Sequence, residues 1–86
     1  MDIQFTDEYK RKGNLLHFLF NINKANKESN RAYGYIYLRW INGNIEELQM
    51  IIYPQYKIEL TSQEQERIIN ELQKSKTWVR AISKLK

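Results

Sequence analysis

Three tyrosines on alternate residues, Tyr33, Tyr35 and Tyr37, are followed at the same spacing by Arg39. In an extended strand alternate side chains share one face and stand about 7 Å apart. Rings in such a row can stack successive unstacked bases, each stack contributing ~1–3 kcal/mol with little regard for sequence. Stacking of this kind needs cations along the nucleic-acid backbone. The chain supplies Lys24, Lys27 and Arg31 in one polar segment, Lys10, Arg11 and Lys12 just ahead of the expected sheet, and Lys76, Arg80 and Lys84 near the C-terminus. The same tyrosine row also reads as interior packing or a dimer interface, because tyrosine is a common strand residue.

For catalysis the residue types are poor. There is no cysteine, which excludes disulfides, thiolate metal sites and cysteine nucleophiles, and a single histidine, His17, excludes a multi-histidine metal site. No Gly-rich phosphate loop, nucleophile elbow, H-E-x-x-H motif or aspartate cluster is present. Glu46 and Glu47 are adjacent, so on a strand they point to opposite faces and cannot act as a carboxylate pair. The expectation is therefore a non-enzyme with no catalytic residue, no metal and no cofactor. His17 reads as a bystander.

A chain of 86 residues is one domain, residues 1–86, with a single modest core. Hydrophobic residues at 42% and charged residues at 28% place it among folded soluble domains. No apolar run approaches the ~18 residues of a membrane span, and no signal-peptide pattern opens the sequence, so a cytoplasmic location without membrane contact is expected. Asn, Lys and Ile are abundant while Val occurs once, a skew typical of AT-rich genes such as those of phages and mobile elements. The net charge of +4 is unevenly spread. Residues 74–86 hold Lys74, Lys76, Arg80, Lys84 and Lys86 with no acid, an arrangement that attracts a polyanion or an acidic protein face. It also suits the C-terminal end of a helix dipole.

These residues must be positioned by a small set of elements. Residues 1–13 lack a sustained period, and Ile3, Phe5 and Tyr9 allow a short strand or one helical turn. From Leu15 to Asn23 the chain alternates, with Leu16, Phe18, Phe20 and Ile22 on one face, which predicts a strand. Residues 23–31 form a basic loop. Residues 32–41 make a second strand with bulky groups on both faces, Asn42-Gly43 signals a hairpin, and residues 44–53 return until Pro54. A two-residue loop would pair Tyr37 with Leu48 and bury the tyrosines. A three-residue loop would pair Ile36 with Leu48 and leave Tyr33, Tyr35, Tyr37 and Arg39 beside Ile45, Glu47, Gln49 and Ile51. The three-residue loop is preferred because it keeps Ile36 and Leu38 with Leu48 and Met50. Residues 56–60 read as a short strand. Thr61-Ser62-Gln63-Glu64 is a capping box opening a helix whose apolar residues, Ile68, Ile69, Leu72, Val79 and Ile82, recur at helical steps. Ser75-Lys76-Thr77 is a place where that helix can divide. Lys76, Arg80 and Lys84 form a solvent stripe on it, and Trp78, at the border of its apolar face, either covers the core edge or stays available to a partner.

The fold class expected is α+β: a three- or four-stranded antiparallel meander followed by a long C-terminal helix packed on one face, the other face open unless a second copy covers it. Lys57-Ile58-Glu59-Leu60-Thr61 and the helix that follows resemble the PC4-like single-stranded-DNA-binding proteins, with Ile68 and Leu72 at helix core positions and Gln65 where that family carries a bulky aromatic. The order of three strands and a helix, with the Asn42-Gly43 hairpin, is also similar to the arm-binding modules of tyrosine recombinases. Both resemblances imply DNA. The expected function is a small nucleic-acid-binding protein, assembled as a homodimer, that holds single-stranded or locally opened DNA or RNA. Tyr33, Tyr35 and Tyr37 would stack bases while Arg39, Lys24, Lys27, Arg31, Lys76, Arg80 and Lys84 neutralise phosphates. The alternative is a small phage or mobile-element protein that binds and inhibits a host nucleoprotein through the same aromatic and basic surface.

Overall fold

The computed structural model describes residues 1–24 and 31–85. Four strands form one antiparallel sheet in the order β1-β2-β3-β4: β1 Asp2–Lys12, β2 Leu15–Asn23, β3 Arg31–Ile41 and β4 Asn44–Ile52. Two helices follow, α1 Ser62–Gln73 and α2 Lys76–Leu85. The α+β meander is thus the observed fold, with four strands and with the helix divided in two. The basic loop expected over residues 23–31, including Lys27, falls largely outside the described residues, as does Lys86.

The core lies between the helices and one sheet face. Alternation in β2 points Leu16, Phe18, Phe20 and Ile22 inward, β3 adds Ala32, Ile36 and Leu38, and the helices contribute Ile68, Leu72 and Ala81, all buried. A fully buried large apolar side chain stabilises by about 1.5–3 kcal/mol, so this set supplies most of the favourable term available to so short a chain.

β1 is a full strand rather than the short strand or helical turn that its sequence suggests. Phe5 pairs with Phe20 and Tyr9 with Phe18, so Thr6, Asp7 and Glu8 together oppose Leu19. That bulge interrupts the apolar period-two signal: Phe5 and Tyr9 keep the same phase, but the position between them is Asp7, which lies in the bulge instead of on the core. Lys10, Arg11 and Lys12 belong to the strand itself, not to a segment ahead of it.

The β3–β4 turn also differs from the preferred reading. Ile41 pairs with Asn44 across Asn42 and Gly43, which have φ of 51° and 84°. This is a two-residue turn of the type that needs two left-handed residues, the reason Asn-Gly is favoured there. Trp40 then pairs with Ile45 but Arg39 with Glu47, leaving Glu46 as an extra residue in a bulge. The bulge shifts the register by one. Ile36 meets Met50 and Leu38 meets Leu48, so the tyrosines fall on the face away from the helices even though the loop is the short one.

The strand expected over residues 56–60 does not form. Pro54–Tyr56 make a 3-10 turn, and Lys57 adopts a left-handed conformation with φ of 43° that turns the chain out of the sheet. Proline at the first position of that turn has its φ already set for it. The capping box is present as expected: Thr61 Oγ1 accepts from the Glu64 N–H at 3.1 Å, and Glu64 Oε1 accepts from the Thr61 N–H at 3.0 Å. The helix divides at Ser75, whose hydroxyl donates to the Leu72 carbonyl at 2.6 Å and accepts from the Trp78 N–H at 3.2 Å. One side chain closes α1 and opens α2. Trp78 covers the core edge, its ring 5.4 Å from that of Phe18.

Candidate nucleic-acid interface

The sheet face away from the helices is ordered in cross-strand rows. From β1 to β4 one row holds Lys12, Leu15, Arg39 and Glu47, and the next holds Lys10, His17, Tyr37 and Gln49. Leu19, Tyr35 and Ile51 form the third, where β1 offers only its bulge, and Gln4, Asn21 and Tyr33 begin the fourth. Tyr53 continues β4 past its last ladder residue, its N–H donating to the Tyr33 carbonyl at 3.0 Å.

The rings on this face touch. Tyr35 lies 6.3 Å from Tyr37 and 5.9 Å from Tyr53, centroid to centroid, and His17 lies 5.6 Å from Tyr35 and 6.0 Å from Tyr37. Tyr33 leans on Tyr56 at 5.7 Å. All but one of these pairs are tilted, so the rings form a contiguous aromatic patch, the floor of the face that the helices do not cover. Tyr33 remains 45% exposed and Leu19 38% exposed, whereas Tyr35, Tyr37 and Tyr53 are half-buried by one another. Shallow hollows run along the floor from Lys10, His17 and Leu19 towards Tyr33 and Tyr53.

One acid organises the β4 side. Glu47 Oε1 accepts from the Tyr37 hydroxyl at 3.1 Å and from Gln49 Nε2 at 2.8 Å, and Glu47 Oε2 lies 3.7 Å from Arg39 Nε. Partial burial, and then the hydrogen bond to this carboxylate, push the Tyr37 phenol above its ordinary value.

The predicted site residues do not all share this face. Tyr33, Tyr35, Tyr37 and Arg39 do, and by register so does Arg31, which alternates with them on β3. Arg31 sits at one end of the sheet, donating to Asn21 Oδ1 at 2.6 Å and to Asp2 Oδ2 at 2.5 Å. Lys24 reaches the opposite way, to the Glu59 carbonyl at 2.8 Å and Glu64 Oε1 at 3.1 Å. Lys76, Arg80 and Lys84 ride on α2, on the other side of the sheet, and Arg80 donates to the Asp7 carbonyl in the β1 bulge. Thr77 Oγ1 also donates to the Thr6 carbonyl, at 3.0 Å, so α2 supports the bulge at two points.

Lys10, Lys12, His17 and Tyr53 complete the tyrosine face; the sequence offers Lys10 and Lys12 only as cations ahead of the sheet and His17 as a bystander, and does not single out Tyr53. Tyr53 continues the odd-numbered alternation of Glu47, Gln49 and Ile51, a signal visible once the register is known. Lys10 and Lys12 are visible in the sequence as cations, but the strand and the face they occupy are not, because the bulge interrupts the apolar alternation of β1. Among the described residues no cluster of His, Asp and Glu is arranged to hold a metal ion, and no helix is long and apolar enough to cross a membrane. No family model, curated protein or solved structure matches the chain.

Proposed function

We propose that this protein is a non-enzymatic binder of single-stranded or locally opened nucleic acid, held on the open sheet face. One observation carries the reading: Tyr33, Tyr35, Tyr37, Tyr53 and His17 form an aromatic floor that the helices leave uncovered. An aromatic floor stacks bases of any sequence, and lysines beside it attract phosphates. The reading includes a second copy of the chain. The helix-side residues of β4, Leu48, Met50 and Ile52, are only half-buried, while their counterparts on β2 and β3 are fully covered, which leaves apolar surface for a twin protomer.

Titration of a fluorescently labelled single strand at two salt concentrations tests the reading. Affinity should fall steeply with salt, because each phosphate neutralised releases counterion. Absence of binding at low salt would remove nucleic acid as the ligand. A second reading, inhibition of a host nucleoprotein through the same face, is favoured by Leu15, Leu19 and Ile51 interleaved with the rings. Aliphatic groups beside tyrosine and arginine suit a protein hot spot better than a base-stacking platform. Capture from lysate with and without nuclease treatment separates a direct protein target from one bridged by nucleic acid.

A further inference from the structure

We infer that the open face is polarised across the strand order, so that a bound single strand lays its phosphates along β1 and turns its bases towards β3 and β4. This assignment rests on the proposed nucleic-acid reading and specifies the ligand's orientation within it. Lys10 and Lys12 stand on the open side of β1, in register with His17 and Leu15, and neither makes an ion pair among the described residues. Arg11, between them in sequence, is in register with buried Leu16 and so belongs to the helix side, where it lines a hollow with Asp7, Glu8, Tyr9, Arg80 and Lys84. β1 itself holds three bases and three acids, but Asp2 is paired with Arg31 and Asp7 and Glu8 belong to the bulge, so Lys10 and Lys12 stand together beyond the bulge at one end of the open side.

The β4 flank has the opposite sign. Asn44–Ile52 contains Glu46 and Glu47 and no base. Arg39, the cation nearest that flank on the open face, faces Glu47 and is largely compensated by it. A phosphate placed over β4 would meet a carboxylate, and so would one over the β1 bulge, where Asp7 and Glu8 line the hollow beside Lys10. One placed over the end of β1 that carries Lys10 and Lys12 meets two ammonium groups that make no ion pair among the described residues. Unit charges about 4 Å apart near a protein surface interact strongly enough for this gradient to set which edge of the strand faces which flank.

Ring placement agrees with the charge. Tyr35, Tyr37 and Tyr53 sit on β3 and at the end of β4, two or three strands inward from Lys10 and Lys12, and His17 on β2 fills the step between. Neighbouring strands are about 4.8 Å apart, so the lysine rail stands about one strand spacing from His17 and about two from the β3 rings. A single strand with its backbone on the rail can splay its bases across that width. The basic stripe of α2 lies across the sheet from the rings and is not required to touch the same segment.

The test uses the full chain and a labelled oligothymidylate of roughly twelve nucleotides, with log affinity plotted against log salt. The Lys10→Gln/Lys12→Gln double variant should bind several-fold more weakly and lower the salt slope by about 1.4, at ~0.7 for each phosphate of a single strand that is no longer neutralised. The Lys76→Gln/Lys84→Gln double variant should leave the slope unchanged. All four positions are exposed, and thermal melting confirms that both variants fold. An unchanged slope for the β1 pair, or a larger loss for the α2 pair, overturns the assignment while leaving a nucleic-acid binder. Failure of the unaltered chain to bind at low salt overturns the underlying reading and the assignment together.

Discussion

The Tyr37 hydroxyl donates to Glu47 Oε1 at 3.1 Å, across the β3–β4 pair and in the middle of the open face. Partial burial and this hydrogen bond hold the phenol above its usual value of 10.0. In an alkaline titration followed by tyrosinate absorbance, the Tyr37 phenol should therefore ionise late, and Glu47→Gln should bring its ionisation down. The phenol keeps its proton longer in the folded state. The stabilisation is therefore present below the usual value and is lost as pH rises through the folded one. An unchanged titration in the Glu47→Gln variant would show that the hydrogen bond does not govern the phenol.

Tyr35→Ala and Phe18→Ala separate the two faces of the sheet. Tyr35 lies on the aromatic floor, so its removal should weaken single-strand binding about 5- to 150-fold, the loss of one stacked base. Its stability cost in chemical denaturation should be about 0.2–1 kcal/mol, that of a cross-strand pair. Phe18 is 1% exposed and touches Tyr9 and Trp78, so its loss should cost roughly 3–5 kcal/mol. Equal stability losses in the two variants would place Tyr35 in the interior.

Gly34 faces the core between Phe20 and Ile52, and a Cβ there would stand 2.3 Å from the Ile51 carbonyl oxygen and 3.1 Å from Phe20 Cζ. Backbone cannot yield as a side-chain tip can. Gly34→Ala should therefore push β3 and β4 apart and cost roughly 3 kcal/mol, the upper end for overpacking. Loss of amide-exchange protection along β4 is the direct check, and a neutral effect would mean the strands can separate there at no cost.

Thr61 and Glu64 close the first turn of α1, and Lys24 adds its ammonium group to the same carboxylate. The Thr61 N–H, and then Lys24, hold the Glu64 carboxyl below its ordinary value of 4.5. Stability from this group is thus present above that value and lost as pH falls through the folded one. Glu64→Gln should flatten this part of the acid limb of the stability curve. Thr61→Ala should cost about 1 kcal/mol at neutral pH, a melting shift of roughly 4–8 °C for a chain of this length.

Much of this architecture is legible in the residues themselves. The alternation of Leu16, Phe18, Phe20 and Ile22, the Asn42-Gly43 turn, the Thr61–Glu64 box and the break at Ser75 all report local physics, and each appears where the pattern puts it. What escapes depends on register. The bulge at Thr6–Glu8 interrupts the apolar alternation of β1, so Lys10 and Lys12 read as cations ahead of the sheet rather than as part of its open face. Tyr56–Leu60 resembles a strand because its apolar residues alternate, but the left-handed Lys57 and the 3-10 turn at Pro54 direct it elsewhere. The tyrosine row is readable as one face. A helical wheel, by contrast, shows that Lys76, Arg80 and Lys84 face solvent, and does not show that this solvent lies across the sheet from the rings.

Glu46 has no partner position on β3. Were it deleted, Ile45 and Glu47 would follow one another directly, and the partnerships from Arg39 to Gly34 would survive unchanged. A deletion further along, among Leu48–Ile52, has no such slack and would exchange inside for outside over part of β4. The hairpin thus tolerates a missing codon at one place and at few others, and the identity of its outward surface depends on a count of residues as much as on their kind.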